Sequence, residues 1–259
     1  MAEAFVTLEH VSKTYTKKNL LKRQSQVVEA VKNVDLTIEK GETLGLVGES
    51  GSGKTTLGRL LLGLEPVDEG EIHIPALERC EHCRSDLMQI VYQDSLSAFN
   101  PNLPAIDAVS EPLLDKLGRE KARQAAAKML ERVAIDEKLY ERSASQLSGG
   151  QRQRLGIARA LVNEPDFVML DEPVSALDVS VQAQILNLLM DLQDADGLTY
   201  LFITHDLAVV RSIATRIAVM YLGEIVEIQK TEDLFAHPKH PYTKKLLAAI
   251  PKFRERVKA

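Results

Sequence analysis

Cysteine is scarce in this chain, with two residues, Cys80 and Cys83, among 259. That excludes a disulfide framework and agrees with a reducing compartment. Long apolar runs are missing too. No stretch approaches the ~20 apolar residues that a membrane-spanning helix requires, so any link to a membrane has to come through a partner. The opening residues Met1–Leu8 include Glu3 and have no basic region ahead of an apolar core. No secretory signal is therefore expected, and the chain is expected to stay in the cytosol. Basic charge is not in excess: 32 Lys and Arg stand against 37 Asp and Glu, a formal net charge of −5. On that balance a global electrostatic pull toward nucleic acid is not expected, while a local basic patch stays open. Internal repeats and low-complexity tracts are absent.

What is present fits one large domain with subdomains better than two independent domains. Hydrophobic residues make up 45% and charged residues 27%, enough for a sizeable core under a polar surface. The segments Phe5–Glu9 and Val34–Ile38 alternate as strands do. The Lys-rich stretch Lys17–Gln26 between them reads as a solvated loop. Thr43–Val47 is an apolar run that ends in glycines, and a helical pattern follows from Lys54 to Leu64. Residues 94–160 read as a mainly helical insertion. One helix there covers Arg119–Val133, with apolar residues at Ala122, Ala126, Met129, Leu130 and Val133. A second follows Gly150 through Leu155 and Ala158 to Leu161.

Strand signals then return. Phe167–Leu170 and Tyr200–Ile203 are short and apolar without alternation, as in strands buried on both faces. Val181, Ile185, Leu188, Leu189 and Leu192 mark a helix ending near Gly197. A short helix covers Leu207–Ala214 with Asp206 as its N-cap. Ile217–Met220 and Glu224–Ile228 form a terminal strand pair that turns at Gly223. Strands alternating with helices imply an α/β fold with a largely parallel sheet.

Two segments carry chemistry. Gly48-Glu-Ser-Gly-Ser-Gly-Lys54-Thr55 matches the phosphate-loop pattern, and it lies between a strand and a helix as that pattern requires. The backbone of Gly48, Ser50, Gly51, Ser52 and Gly53 can curl so that its amides converge on an anion, with the helix N-terminus behind them. Lys54 can reach the β- and γ-phosphates. Thr55, followed by Thr56, can place a hydroxyl on Mg²⁺. A Gly-rich turn that matches by chance is the bland alternative, and the strand–loop–helix context counts against it. The second segment is Asp171-Glu172, at the C-terminal end of the buried strand Phe167–Leu170. Ligands bind at that edge of open α/β sheets. Asp171 is suited to holding Mg²⁺ and Glu172 to deprotonating an attacking water. Taken alone, an Asp-Glu pair is often a solvated turn; a phosphate loop in the same sheet raises the functional reading.

Leu147-Ser-Gly-Gly-Gln151, lying before the acidic strand, resembles the signature motif of ATP-binding-cassette (ABC) ATPases. The resemblance implies a P-loop NTPase core with a mainly parallel sheet, an N-terminal antiparallel β subdomain and a helical insertion subdomain. The nucleotide-binding core would comprise 1–93 and 161–230, the helical subdomain 94–160 and a C-terminal tail 231–259. It implies that Tyr15 stacks on adenine, that Gln93 is the Q-loop glutamine sensing Mg²⁺ and the attacking water, and that His205 is the switch histidine at the γ-phosphate. It implies that Ser175–Asp178 is the D-loop, with Asp178 at the nucleotide site. In that family two cassettes pair head to tail around two ATP molecules. Ser148, Gly149, Gly150 and Gln151 of one would cap the nucleotide on the other's phosphate loop, as helix-terminal glycine amides can.

The tail His237–Pro251 and the stretch Gln93–Pro101 resemble the peptide/nickel importer branch. The implied protein is a Mg²⁺-dependent ATPase at the cytoplasmic face of the plasma membrane. Its partners would be two integral permease subunits, a second, paralogous cassette forming a heterodimer and, indirectly, an extracytoplasmic substrate-binding protein, with no nucleic acid. Peptides are the expected cargo and nickel or a metal chelate the alternative. Soluble ABC ATPases acting on DNA or ribosomes usually carry coiled-coil insertions or two cassettes, and exporters commonly fuse the cassette to a membrane domain. A non-hydrolysing subunit would lack groups that Glu172, Gln93 and His205 supply here. No cysteine follows Cys83, so the cysteine-bound iron–sulfur cluster of some branch members is not expected. Cys80-Glu-His82-Cys83 could be half of a metal site, with His73 nearby in sequence, but surface thiols in a variable loop are the expected reading, since no second C-x-x-C exists.

Overall fold

The computed structural model describes residues 3–18, 25–79, 84–94 and 99–249. The first strand is longer than its alternating segment: β1 spans Ala4–Lys18 and pairs antiparallel with β2, Ser25–Glu39, from Ala4 opposite Glu39 to Lys18 opposite Ser25. The expected solvated loop at 17–26 is thus strand at both ends, and 19–24 lie outside the described residues. The reason is that a hairpin ladder is closed by backbone hydrogen bonds. It runs on through Thr14, Tyr15 and Thr16 opposite Val27–Glu29, good strand formers that need no core beneath them.

The second sheet holds six strands in the order β5-β6-β7-β3-β8-β9. These are β3 (Thr43–Val47), β5 (Met88–Val91), β6 (Phe167–Asp171), β7 (Thr199–Thr204), β8 (Arg216–Tyr221) and β9 (Glu224–Lys230). All its neighbours pair parallel except β8 and β9. The remaining strand, β4 (Glu69–His73), joins β1 to complete a three-stranded antiparallel sheet, β2-β1-β4. Every residue of β3 and β7 is buried, which explains their unalternating sequence: each face of the sheet carries its own apolar cluster.

Helix α1 (Lys54–Leu61) stops three residues before the expected Leu64. Gly63 turns left-handed at φ 68°, and the Leu64 and Gly63 amides bond back to the carbonyls of Arg59 and Leu60. This is the glycine-terminated helix end that satisfies the last carbonyls. A short α2 (Arg84–Leu87) precedes β5. The expected helical stretch contains α3 (Ala105–Ser110), α4 (Leu114–Leu117), α5 (Arg119–Arg132) and α6 (Gly149–Leu161). Helix α5 buries Ala122, Ala126, Met129 and Leu130, the face read from its spacing. Helix α7 (Val179–Asp196) ends at left-handed Gly197, and α8 (Leu207–Ile213) starts at Asp206, whose carboxylate accepts the Ala208 and Val209 amides. The chain then forms α9 (Thr231–Ala236) and α10 (Pro241–Ala248).

Strand β3 leads straight into the phosphate loop, and α8 packs against it with no room to spare. A Cβ on Gly45 would lie 2.2 Å from Val210 Cγ2 and 3.1 Å from Ala214 Cβ. Gly45→Ala is expected to destabilise the chain by about 1–3 kcal/mol, read as a lower urea midpoint; an unchanged midpoint would mean that α8 yields freely.

Candidate nucleotide site

The phosphate loop crosses the end of β8 and the middle of β2 at backbone contact distance. A Cβ on Gly48 would fall 2.2 Å from the Met220 carbonyl oxygen, and one on Gly53 would fall 2.0 Å from that of Ala30. Gly53 also takes φ 107°, so glycine is required there twice over. Gly53 N-caps α1 and offers no side chain to its first amides, which leaves them for an anion. Lys54 opens the helix and is only 6% exposed; its ammonium donates to the carbonyls of Gly48 at 2.8 Å and Glu49 at 2.9 Å. Burial pushes its pKa down, and the carboxylates of Glu172 and Asp171 push the other way.

Strand β6 delivers those carboxylates to the same edge. The Thr55 hydroxyl donates to Asp171 Oδ1 at 3.1 Å, so the two oxygens expected to hold Mg²⁺ are already adjacent. Hard oxygen donors of this kind fit that ion. Burial raises the Asp171 pKa above the usual carboxylate range; the Thr55 hydrogen bond opposes this and neighbouring Glu172 adds to it. Glu172 itself sits at φ 49°, a left-handed conformation that costs a non-glycine residue energy and recurs at functional sites. Its amide is tied to the Ile203 carbonyl of β7 at 2.9 Å, and His205 Nδ1 lies 3.0 Å from its Oε1. Gln93 donates to Ser175 Oγ at 3.2 Å, and Ser175 Oγ donates to the Glu172 carbonyl at 3.1 Å.

Tyr15, Ser50, Gly51, Gly53, Lys54, Thr55, Thr56 and Glu172 line one open cleft of about 870 Å³, a size suited to a nucleotide. The long β1–β2 hairpin carries Tyr15 over to the loop, where its hydroxyl donates to Glu65. Asp171 and His205 adjoin the cleft through Thr55 and Glu172, whereas the expected residues from the Q-loop, signature and D-loop segments lie elsewhere. Gln93 and Gly149 line a smaller cleft beside Pro173. Ser148 and Gln151 cap α6 reciprocally, and Gly150 packs on Val181 so closely that a Cβ would fall 2.6 Å from it. Asp178 is engaged in capping α7, accepting from Ser180 Oγ at 2.7 Å and from the Val181 amide. Sequence reasoning missed Val28, Lys32 and Leu222, which wall the cleft, and Glu65, which holds Tyr15. Nothing local in the sequence marks them; they are brought in by the hairpin and by the β8–β9 turn. Cys80–Cys83 lie outside the described residues.

Comparison with known proteins places this architecture. A family model described as ABC transporter matches residues 31–175, more than half the chain. This chain belongs to that family. A second model, the C-terminal region of oligopeptide/dipeptide transporters, matches residues 226–258. The chain is 45% identical to the dipeptide transport ATP-binding protein DppF of Haemophilus influenzae, over 96% of this chain and 80% of the relative. It is also 45% identical to the probable D,D-dipeptide transport ATP-binding protein DdpF of Escherichia coli, over 97% of this chain and 80% of the relative. Among solved structures it resembles the ATP-binding cassette MJ0796, a dimer in a post-hydrolysis state bound to ADP and Pi. That match has a TM-score of 0.75 and 34% identity over 87% of this chain and 98% of the other. The P-loop NTPase fold expected from the sequence is thereby shown. Among the described residues no helix is long and apolar enough to cross a membrane.

The half-buried Asp171–Glu172 pair has a measurable consequence. A carboxylate whose pKa is raised by folding weakens the fold above that pKa and ceases to do so as pH falls through it. Asp171→Asn is therefore expected to raise the melting temperature of the nucleotide-free protein at pH 7.5, with the gain shrinking in acid. The same variant should lose the extra stabilisation that Mg²⁺ adds to ATP. A lowered melting temperature at pH 7.5 would contradict the assigned burial cost.

Proposed function

We propose that this chain is the ATP-hydrolysing motor of a membrane importer for di- or oligopeptides. The observation that carries the reading is the cleft in which the phosphate loop, Thr55 bonded to Asp171, and Glu172 beside His205 meet at one sheet edge. The peptide cargo is supported by the dipeptide transport relatives and by the matched C-terminal region.

In this reading Tyr15 stacks on the base, and the loop amides and the α1 N-terminus cradle the phosphates. Lys54 exchanges its two carbonyl partners for phosphate oxygens, a stronger acceptor. Thr55 and Asp171 would hold Mg²⁺, which would supply positive charge against the phosphates. Glu172 takes a proton from water as the water oxygen attacks the γ-phosphorus, and the β–γ bridging bond breaks with its electron pair going to ADP. His205 hydrogen-bonds both the transferring group and Glu172. Gln93 reports on the same centre through Ser175.

The signature residues Ser148–Gln151 do not line the phosphate cleft, which supports a composite site completed by a second cassette. Val179, beside the D-loop, is 82% exposed and suits such an interface. A paralogous cassette, two permease subunits and an extracytoplasmic binding protein complete the proposed importer, with this chain at the cytoplasmic membrane face. Residues 1–93 and 161–230 serve as nucleotide-binding core, 94–160 as helical subdomain and 231–259 as tail.

Glu172→Gln is expected to slow ATP hydrolysis about 10²-fold or more while ATP binding persists; unchanged turnover would remove Glu172 as the base. In the host, deletion of the gene should abolish uptake of labelled dipeptides, restored by wild type and not by Glu172→Gln. Loss of nickel uptake alone would make the cargo a metal.

A further inference from the structure

The tail is more than a surface helix. Tyr242, near the start of α10, is 6% exposed and packs on Tyr221 at the end of β8, with ring centroids 4.1 Å apart and ring planes tilted by 33°. Its hydroxyl accepts the backbone N–H of Glu49, the second residue of the phosphate loop, at 3.0 Å. The segment before α10 is fastened by Glu227 of β9, whose carboxylate accepts the amides of Lys239 at 2.8 Å and His240 at 3.0 Å. Burial alone would raise the Glu227 pKa, yet these bonds and the Thr243 side chain hold it below its ordinary value. His240 then N-caps α10 through its ring nitrogen. Tyr242 is therefore set in place from the sheet, through β9 and the His240 turn.

The amide that Tyr242 holds belongs to the peptide unit joining Gly48 to Glu49. The carbonyl of that same unit accepts the Lys54 ammonium at 2.8 Å. A peptide unit is planar, and its N–H and C=O point in opposite directions. Fixing the N–H on the tail side thus fixes the direction of the carbonyl on the lysine side. A rotation of that plane would withdraw a Lys54 partner and tilt the first turn of the cradle. Lys245 also lies 3.7 Å from the Glu49 carboxylate, but both side chains are well exposed and such a pair adds little.

We infer that Tyr242 is a positioning residue for nucleotide binding: its hydroxyl, acting through the Gly48–Glu49 peptide, sets the phosphate loop and Lys54, and so makes the C-terminal tail part of the ATP site. This rests on the phosphate-loop reading above. The held geometry serves ground state and transition state alike, so losing it should cost binding rather than chemistry.

The test uses the full chain. Tyr242→Phe keeps the ring against Tyr221 and removes only the hydroxyl. MgATP affinity is expected to fall about 3–10-fold, the loss of one neutral hydrogen bond. KM should rise in parallel, kcat should stay within about 2-fold, and the melting temperature of the nucleotide-free protein should be nearly unchanged. Lys245→Ala should leave affinity within about 2-fold. Wild-type affinity in Tyr242→Phe would overturn the inference. So would a fall in kcat with unchanged KM, since that is the mark of a merely less stable fold. MgATP binding by the wild type separately tests the phosphate-loop reading: if wild type binds and Tyr242→Phe is unaffected, only the role of the tail is lost.

Discussion

One buried cation beside two carboxylates organises the site. Lys54 sits at the bottom of the phosphate loop, and Asp171 and Glu172 sit at the end of the strand two places away in the sheet. Neither charge is comfortable there. The lysine is desolvated and rests on loop carbonyls, and Asp171 is desolvated beside a like charge. The cost is tolerated because parallel strands β3, β7 and β6 all end at one edge, where a polyanion with a divalent cation can use every one of these groups. The sheet is buried on both faces, so that edge has little freedom to relax, and the groups stay aimed at the cleft.

How much of this was legible depended on whether a residue's role is local. The phosphate loop, the acidic pair and the α6 cap each depend on neighbours within a few positions, and their residue types gave them away. Asp206 as an N-cap and Gly197 as a helix end were readable for the same reason. The helix after Lys54 was read too long because Leu62 and Leu64 continue its apolar pattern, while Gly63 decides its end through backbone geometry. The 17–26 stretch is strand at both ends because a hairpin ladder is made by backbone bonds, which a run of lysines does not rule out. Glu65 and Leu222 reach the cleft only by long-range packing, which no spacing in the sequence encodes.

The separation of the signature segment from the phosphate cleft follows from the same architecture. Ser148–Gln151 open α6, the helix that precedes β6, and are anchored through Gly150 against Val181 of α7. Helix α7 begins just after Ser175, which connects Gln93 to the backbone of Glu172. Helix α6 and the proposed base therefore share one short path of contacts. The left-handed backbone of Glu172 sits at the junction and is the strained element along it.

The phosphate loop is held at both of its ends by the part of the chain that follows β8. The Gly223 amide, in the β8–β9 turn, donates to the Ser52 carbonyl at 3.0 Å, and Tyr242 takes the Glu49 amide from the other side. Between these two points lie Ser50 and Gly51, which line the cleft and make no such tie among the described hydrogen bonds. A loop fixed at its ends and free at its middle can close on an anion without losing register. Strand β9, the one antiparallel member of its sheet, gains a purpose from this. By reversing direction it brings the turn at Gly223 back under the loop. It also carries Glu227 to the place from which the tail helix is aimed.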